Sequence, residues 1–317
     1  MNDNNKKPLV ILTGPTAVGK TEISIKLAKA INGEIISADS IQVYKHLDIG
    51  SAKVTKEEMD GVNHYLIDVL EPDEEFNIYV FKKLALEAME EIYAKGKIPI
   101  IAGGTGFYIQ ALLYDIEFSE EEGDKTYRHM LEKKAEEEGV TVIHNMLKEV
   151  DPEAANEIHE NNLKRVIRAL EYYHETGMRI SEHNKEQRQK ESPYNFRYYV
   201  LNMDRDKLYS RINLRVDIMA ESGLVDEVKK LKEMGYGKEL NSMQGIGYKE
   251  IRDYVDGVYD YDTAMETLKK NTRNFAKRQI TWFKREKEVV WLSHEEFDND
   301  KDKILEFILG DLHKTIM

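Results

Sequence analysis

Near the amino terminus the eight residues Gly14-Pro15-Thr16-Ala17-Val18-Gly19-Lys20-Thr21 carry the pattern G-x-x-x-x-G-K-[ST]. Such a loop turns main-chain N–H groups toward phosphate oxygens and sets a lysine charge beside them, and the hydroxyl at its last position suits Mg²⁺. Leu9 to Leu12 ahead of it reads as a buried strand, and Ile23, Leu27 and Ile31 behind it mark one helix face. The motif therefore stands in the strand–turn–helix setting it requires. It implies a phosphate or diphosphate site and leaves the rest of the ligand open.

Other residues must decide that ligand. Ser37-Ala38-Asp39-Ser40-Ile41-Gln42-Val43-Tyr44 ends a second apolar run and puts a carboxylate at the carboxyl edge of a sheet, where open α/β folds bind ligands. Asp39 is a candidate general base, or else an Asx-turn or helix cap, and its position alone does not choose. Gly103-Gly104-Thr105-Gly106 follows another strand run and belongs at the same edge, either as a close backbone approach to a ligand or as a plain tight turn. His64 and Asp68 lack a third ligand at metal spacing, which favours structural roles.

Positive charge is concentrated twice. From Lys269 to Lys287 there are eight Lys or Arg and one acidic residue, with Lys270, Arg273, Lys277 and Lys284 at helical spacing and Ala276, Ile280 and Phe283 on another face. Lys164, Arg165 and Arg168 form a smaller helical cluster. With 46 Lys+Arg and 59 Asp+Glu, a net charge of −13, the chain argues against bulk attraction to nucleic acid; either cluster alone is a solvated helix face or a polyanion-facing groove, and against that background their coincidence favours the groove.

The elements that must position these groups alternate. Short apolar runs at Leu9–Leu12, Glu34–Ser37, Tyr65–Val69, Ile98–Ala102, Tyr198–Leu201 and Val289–Leu292 are mostly separated by helical periodicity. One helix should open at Asn77 as N-cap, carry Phe81, Leu84, Ala88 and Ile92 inward, and stop at Gly96. The expected fold is α/β, a P-loop NTPase-like parallel sheet core with a helical insertion domain. Strand signals vanish between about 117 and 196, where 19 acidic and 13 basic residues occur from Glu117 to Arg197. The expected domains are thus 1–117 with 196–317 as catalytic core, and 118–195 as insertion, entered through Glu117, Glu120, Glu121, Glu122 and Asp124. His129, His144, His159 and His174 recur every 15 residues, but their neighbours do not match and no repeat is inferred. With 317 residues, 41% of them hydrophobic, the chain can build a sizeable core, and zero Cys excludes disulfides, thiolate metal sites and cysteine nucleophiles. No signal peptide or membrane helix is visible, and a cytoplasmic protein is expected.

In order and at suitable spacing, GPTAVGKT, ISADSIQVYKHLDIGSAK, GGTGFY, RVIRALEYYHETG, QGIGYKE and TRNFAKRQITWFKR resemble the isopentenyl-tRNA transferase (tRNA dimethylallyltransferase) family. The likeness runs from about Leu9 to Arg285, and DSIQVYK, GGTGFY and AKRQITWF are far more specific to it than the P-loop. Ser51 and Val54 stand where Thr and Pro are usual, and Tyr65 follows His64 where a second His is common. The resemblance implies transfer of a dimethylallyl group from dimethylallyl diphosphate to N6 of the adenosine 3′ of the anticodon in tRNA. It makes Gly14, Thr16, Ala17, Val18, Gly19, Lys20 and Thr21 the diphosphate site, with Thr21 on Mg²⁺ and Arg215, or its rival Arg211, steadying the leaving group. It makes Asp39 the base, places Thr105 beside the adenosine, and counts Lys20 and Arg215 among the catalytic groups. Implied tRNA contacts are Asp39, Ser40, Ile41, Gln42, Thr105, Arg128, Lys164, Arg165, Val166, Ile167, Arg168, Gln244, Gly245, Gly247 and Tyr248, the anticodon stem-loop being gripped by the insertion. The basic helix adds Arg273 and Lys277 for backbone phosphate. A bacterial-type monomer is expected. A small-molecule kinase, an enzyme prenylating free AMP and a non-catalytic RNA-binding P-loop protein are the competing readings; the long insertion and the basic clusters favour a large acceptor.

Overall fold

The computed structural model describes residues 6–116, 125–187 and 190–316. The acidic entrance, Glu117 to Asp124, and the first five residues lie outside them. The chain divides into two compact units, one of residues through Leu113 together with Pro193 onward, the other of Tyr114–Ser192.

The first unit is built on six parallel strands: β1 (Lys7–Thr13), β2 (Gly33–Ala38), β3 (His64–Tyr65), β4 (Ile98–Gly103), β5 (Tyr194–Asn202) and β6 (Val289–Ser293), in the order β3-β2-β4-β1-β5-β6. β1, β2 and β4 are almost wholly buried, as parallel strands covered on both faces must be. Register fixes the site. Thr13 and Ala38 both pair with Gly103, so the chain leaves β1, β2 and β4 at the same level of the carboxyl edge.

Around the sheet lie α1 (Lys20–Ala30), the single turn α2 (Lys56–Met59), α3 (Ile78–Ala94) and α4 (Gly106–Leu113). Asn77 caps α3 by accepting from the Val80 N–H at 3.0 Å, and Gly96, at φ 68°, ends it in the left-handed conformation that suits glycine. Its inward stripe is Phe81, Ala85, Ala88, Met89 and Ile92, with Leu84 only half-buried beside it. The third strand is shorter than its apolar run suggests. Leu66 and Asp68 take positive φ of 62° and 53°, so the chain after Tyr65 is apolar but not extended, and pairing ends there. β5 conversely begins at Tyr194, ahead of its apolar run, because Tyr194–Arg197 already pair with Lys7–Val10 of β1.

The second unit holds helices α5 (Lys125–Glu138), α6 (Val140–Val150), α7 (Pro152–Glu157), α8 (Leu163–Thr176) and α9 (Ile180–Gln187) around a core that includes Leu131, Ile143, Leu147, Val166, Ile167 and Leu170. The evenly spaced histidines play unlike parts. His129 is exposed, His144 Nε2 meets the Ala155 and Ile158 carbonyls, and His174 stacks on Tyr127. Back in the first unit follow α10 (Arg205–Glu221), α11 (Leu224–Glu233), α12 (Tyr248–Val255), α13 (Tyr261–Phe283) and α14 (Lys301–Thr315). No helix among the described residues is long and apolar enough to cross a membrane.

Candidate active site at the carboxyl edge of the sheet

Gly14 opens the first loop at φ 145°, and a Cβ there would lie 2.4 Å from the Leu201 carbonyl oxygen, so only glycine fits. Ala17 at φ 64° and Gly19 at φ 100° curl the chain back into the start of α1. Not every amide of the loop is open to a ligand. The Thr16 N–H donates to Gln279 Oε1 at 2.9 Å, and the Val18 N–H to the Pro15 carbonyl at 3.4 Å. The Val18 side chain is fully buried and packs into the core, so only its main chain lies along the loop. The available donors are those of Ala17, Gly19 and the first turn of α1.

Three cations line the cavity of about 500 Å³ over this loop: Lys20, Arg211 and Arg215. Lys20 folds back on the main chain and donates to the Gly14 and Pro15 carbonyls at 3.0 and 2.9 Å. Burial first and the neighbouring Arg215 second push its ammonium down to about 7, against the opposing pull of Asp39. An anion in the cavity would raise it again. Arg211 Nε donates to the Ala17 carbonyl at 2.8 Å, and Arg215 Nη2 to the Ala52 carbonyl at 3.4 Å. Burial lowers the Arg215 pKa, so this guanidinium is the more desolvated charge and gains more from an anionic partner.

Beside the loop, Asp39 Oδ1 accepts from the Ile41 and Gln42 N–H groups at 2.8 and 3.3 Å. It is therefore an Asx-turn residue through one oxygen. Among the described residues Oδ2 has no hydrogen-bond partner, which leaves it free to take a proton. Thr105 caps the approach to α4, its N–H donating to the Ala38 carbonyl at 3.1 Å. It lines a second cavity of about 420 Å³, with Ser40, Ile41, Tyr44, Phe76, Gln244, Gly245, Lys249 and Arg278. The two cavities share Thr16, Ala17, Asp39, Ser51, Arg215 and Phe275. Asp39 thus stands where a cation-lined space meets an aromatic-walled one.

Two contributors from α13 escaped the sequence reading. Gln279 bonds the first loop and also donates to the Gly104 carbonyl at 3.0 Å, while the Trp282 ring lies so close to Gly106 that a Cβ there would sit 2.2 Å from it. Both lie in the motif AKRQITWF, but nothing in residue type or spacing says what they touch. His64 lines the first cavity, its Nδ1 paired with the Val62 carbonyl at 2.9 Å, and Asp68 is paired with Lys53 instead. No group of three or more metal-type ligands occurs among the described residues. Thr21 lines the cavity as one exposed hydroxyl, so a divalent cation here would take most of its ligands from a diphosphate and water, a donor set that fits Mg²⁺.

The expected tRNA contacts separate by burial. Lys164, Arg165 and Arg168 are exposed on α8 and form no ion pair among the described residues. Val166 and Ile167, between them, are 0% and 2% exposed: helical periodicity turns them into the core of the second unit, and their side chains cannot meet RNA. Arg128 is held in a bidentate pair with Glu171, at 2.7 and 2.6 Å. The Tyr248 side chain faces inward. It is fully buried, and its hydroxyl donates to Glu227 at 2.8 Å and accepts from the Ser51 N–H at 3.2 Å. Gly247, at φ 102°, packs its backbone against Gly50, and Gly245 packs against Ile41. Gln244 donates to the Lys238 carbonyl, Arg273 donates to Asn213 Oδ1 at 2.6 Å, and Lys277 is exposed.

Residues 42–286 match the model of the IPP transferase family. A tRNA dimethylallyltransferase of Lachnoclostridium phytofermentans is 59% identical over 95% of this chain and 96% of its own, and one of Acetivibrio thermocellus 53% identical over 92% and 94%. Among solved structures, the full-length tRNA isopentenylpyrophosphate transferase of Bacillus halodurans superposes with TM-score 0.73 at 46% identity, covering 98% of both chains. A eukaryotic dimethylallyltransferase solved acting on tRNA gives 0.78 at 31% identity, covering 90% of this chain and 74% of that one.

Proposed function

Because the chain belongs to the IPP transferase family, we propose that it transfers a dimethylallyl group from dimethylallyl diphosphate to N6 of the adenosine 3′ of the anticodon in tRNA, releasing diphosphate. The observation that carries the assignment of residues is the meeting of the two cavities at Asp39. The diphosphate lies in the first, on the open amides of the loop, with Lys20 and Arg215 as its cationic partners and Arg211 close by. The adenine enters the second, extruded from an anticodon loop whose bases are already loosely stacked.

The exocyclic nitrogen of adenine is a weak nucleophile because its lone pair is delocalised into the ring. As its bond to the allylic carbon forms, the bond from that carbon to the diphosphate oxygen breaks and the N6 proton passes to Asp39 Oδ2. General-base help of this kind contributes about 10²- to 10⁴-fold. Negative charge grows on the departing diphosphate, where Lys20, Arg215 and the loop amides already point positive potential. Thr105 stands in the acceptor cavity as the hydroxyl that orients the base. Mg²⁺ bound through Thr21 would neutralise diphosphate charge. Lys164, Arg165 and Arg168 on the insertion, and Lys277 on α13, supply exposed charge for tRNA phosphates. The proposal is of a cytoplasmic monomer.

The test is incubation with Mg²⁺, dimethylallyl diphosphate and unmodified tRNA, followed by nucleoside analysis. One prenylated adenosine next to the anticodon is expected, with no need for ATP. Absence of that nucleoside, or phosphoryl transfer from ATP to a metabolite without tRNA, contradicts the proposal.

A further inference from the structure

We propose that Gln279 is a positioning residue for this transfer, fixing the spacing between the loop that takes the diphosphate and the turn that carries Thr105. The role rests on the function proposed above and adds to it. β1 and β4 are held in register as far as Thr13 and Gly103, where Thr13 Oγ1 also donates to the Gly103 carbonyl at 2.6 Å. Beyond that point the two chains part, one toward the diphosphate loop and one toward the acceptor cavity. Among the described residues, the hydrogen bonds that join them past the sheet run through one carboxamide. Gln279 Oε1 accepts from the Thr16 N–H at 2.9 Å, and Nε2 donates to the Gly104 carbonyl at 3.0 Å.

The surroundings are built for that link. Gln279 is 5% exposed, and a Cβ on Gly104 would lie 2.1 Å from Nε2, so the glycine leaves room for the amide. A carboxamide presents an acceptor and a donor from one planar group at every pH; an ionised glutamate loses the donor, leucine loses both, and asparagine is one methylene short. Thr16 borders both cavities and Thr105 follows Gly104, so a shift of either loop changes how the allylic carbon faces the nucleophile. Gln279 itself borders the first cavity, but the main-chain donors left open for a diphosphate, those of Ala17, Gly19 and the first turn of α1, are not the ones it holds. Loss of the link should therefore slow transfer more than it weakens diphosphate binding.

The experiment measures single-turnover prenylation by enzyme preloaded with dimethylallyl diphosphate, together with calorimetric Kd for that ligand. Gln279→Leu and Gly104→Ala should each lower the single-turnover rate about 100-fold, the size of effect expected of a misplacement near 1 Å, with Kd within about threefold of wild type. The double variant should be no slower than the slower single, since both break one link. Gln279→Glu should be slow near pH 8 and recover relative to wild type as the pH is lowered toward about 5, where a protonated carboxyl regains the donor. A single-turnover rate for Gln279→Leu within about threefold of wild type, or a Kd loss as large as the rate loss, overturns the role. If the leucine variant does not fold, the glutamate variant decides: a flat ratio to wild type across that pH range contradicts the proposal. Wild-type enzyme that binds the diphosphate yet prenylates nothing fails the underlying function instead, and this role falls with it.

Discussion

The diphosphate cavity and the acceptor cavity meet at Asp39 but are made in different ways. The first takes its main-chain donors from one contiguous run, Gly14 to Thr21, whose shape is set by main-chain conformation at Gly14, Ala17 and Gly19, with two arginines from α10 beside it and side chains such as Gln42, Ser51 and His64 completing the wall. The second is assembled from side chains of separate segments, residues 39–44, Phe76, Thr105, residues 241–249 and the middle of α13. Main chain plus charge recognises a diphosphate whatever is attached to it; dispersed side chains recognise one acceptor. The first half should therefore fail through backbone and charge, the second through individual side chains.

The largest expected effect lies at the junction. Asp39→Asn keeps the Asx-turn acceptor but removes the base, and should lower the transfer rate by about 10²- to 10⁴-fold with little change in Kd for either substrate. Steady-state and binding measurements check this; equal losses in rate and binding would make Asp39 a structural residue. Next, Gly14→Ala forces a Cβ against the Leu201 carbonyl in a backbone region closed to other residues, and should cost about 2–3 kcal/mol of stability by chemical denaturation. A similar alanine at Gly61, where a Cβ meets nothing within 4 Å, should cost less, from its positive φ alone.

The third effect is a pH dependence confined to the diphosphate half. The free Lys20 ammonium lies at about 7, and a bound polyanion raises it, so binding takes up a proton once the pH exceeds the free value. Affinity for dimethylallyl diphosphate should be undiminished by this group below pH 7 and fall up to about tenfold per unit above it, until the bound pKa is reached. Lys20→Arg, which stays charged, should lose that slope, and since the ligand's own ionisation is common to both proteins, the difference isolates Lys20. An identical slope in the two would remove the lysine from the site. The smallest effect belongs to the insertion: replacing Arg165 and Arg168 with Ala should weaken tRNA binding and reduce its log–log salt slope by about 1.4–1.8. Replacing buried Val166 instead should lower stability without changing that slope.

The same contrast explains what could be read from the chain. Buried parallel strands announce themselves as apolar runs, and the P-loop is a local pattern, so the sheet, the cradle and the position of Asp39 were legible. Tyr65–Val69 misled because residue type does not report the positive φ of Leu66 and Asp68. Lys164–Arg168 was read as one contact stretch, whereas a helix sends its basic and apolar members to opposite sides. Motif membership likewise does not report that the Tyr248 side chain packs on Gly50 and props the loop at Ser51. Gln279 was invisible, since a polar residue on a basic helix reads as solvent-facing until the glycine turns it bridges are placed in space.

The central claim is that the glycine-rich loop holds an isoprenoid diphosphate with its allylic carbon turned to Asp39. A crystal structure with a thiolo-diphosphate analogue of the prenyl donor tests it directly. The account predicts the diphosphate on the amides of Ala17, Gly19 and the first turn of α1, Lys20 swung from the Gly14 and Pro15 carbonyls onto it, and the isoprenoid pointing into the space shared by the two cavities. A loop that takes up only a nucleoside triphosphate, or an analogue bound with its allylic carbon away from Asp39, would contradict it.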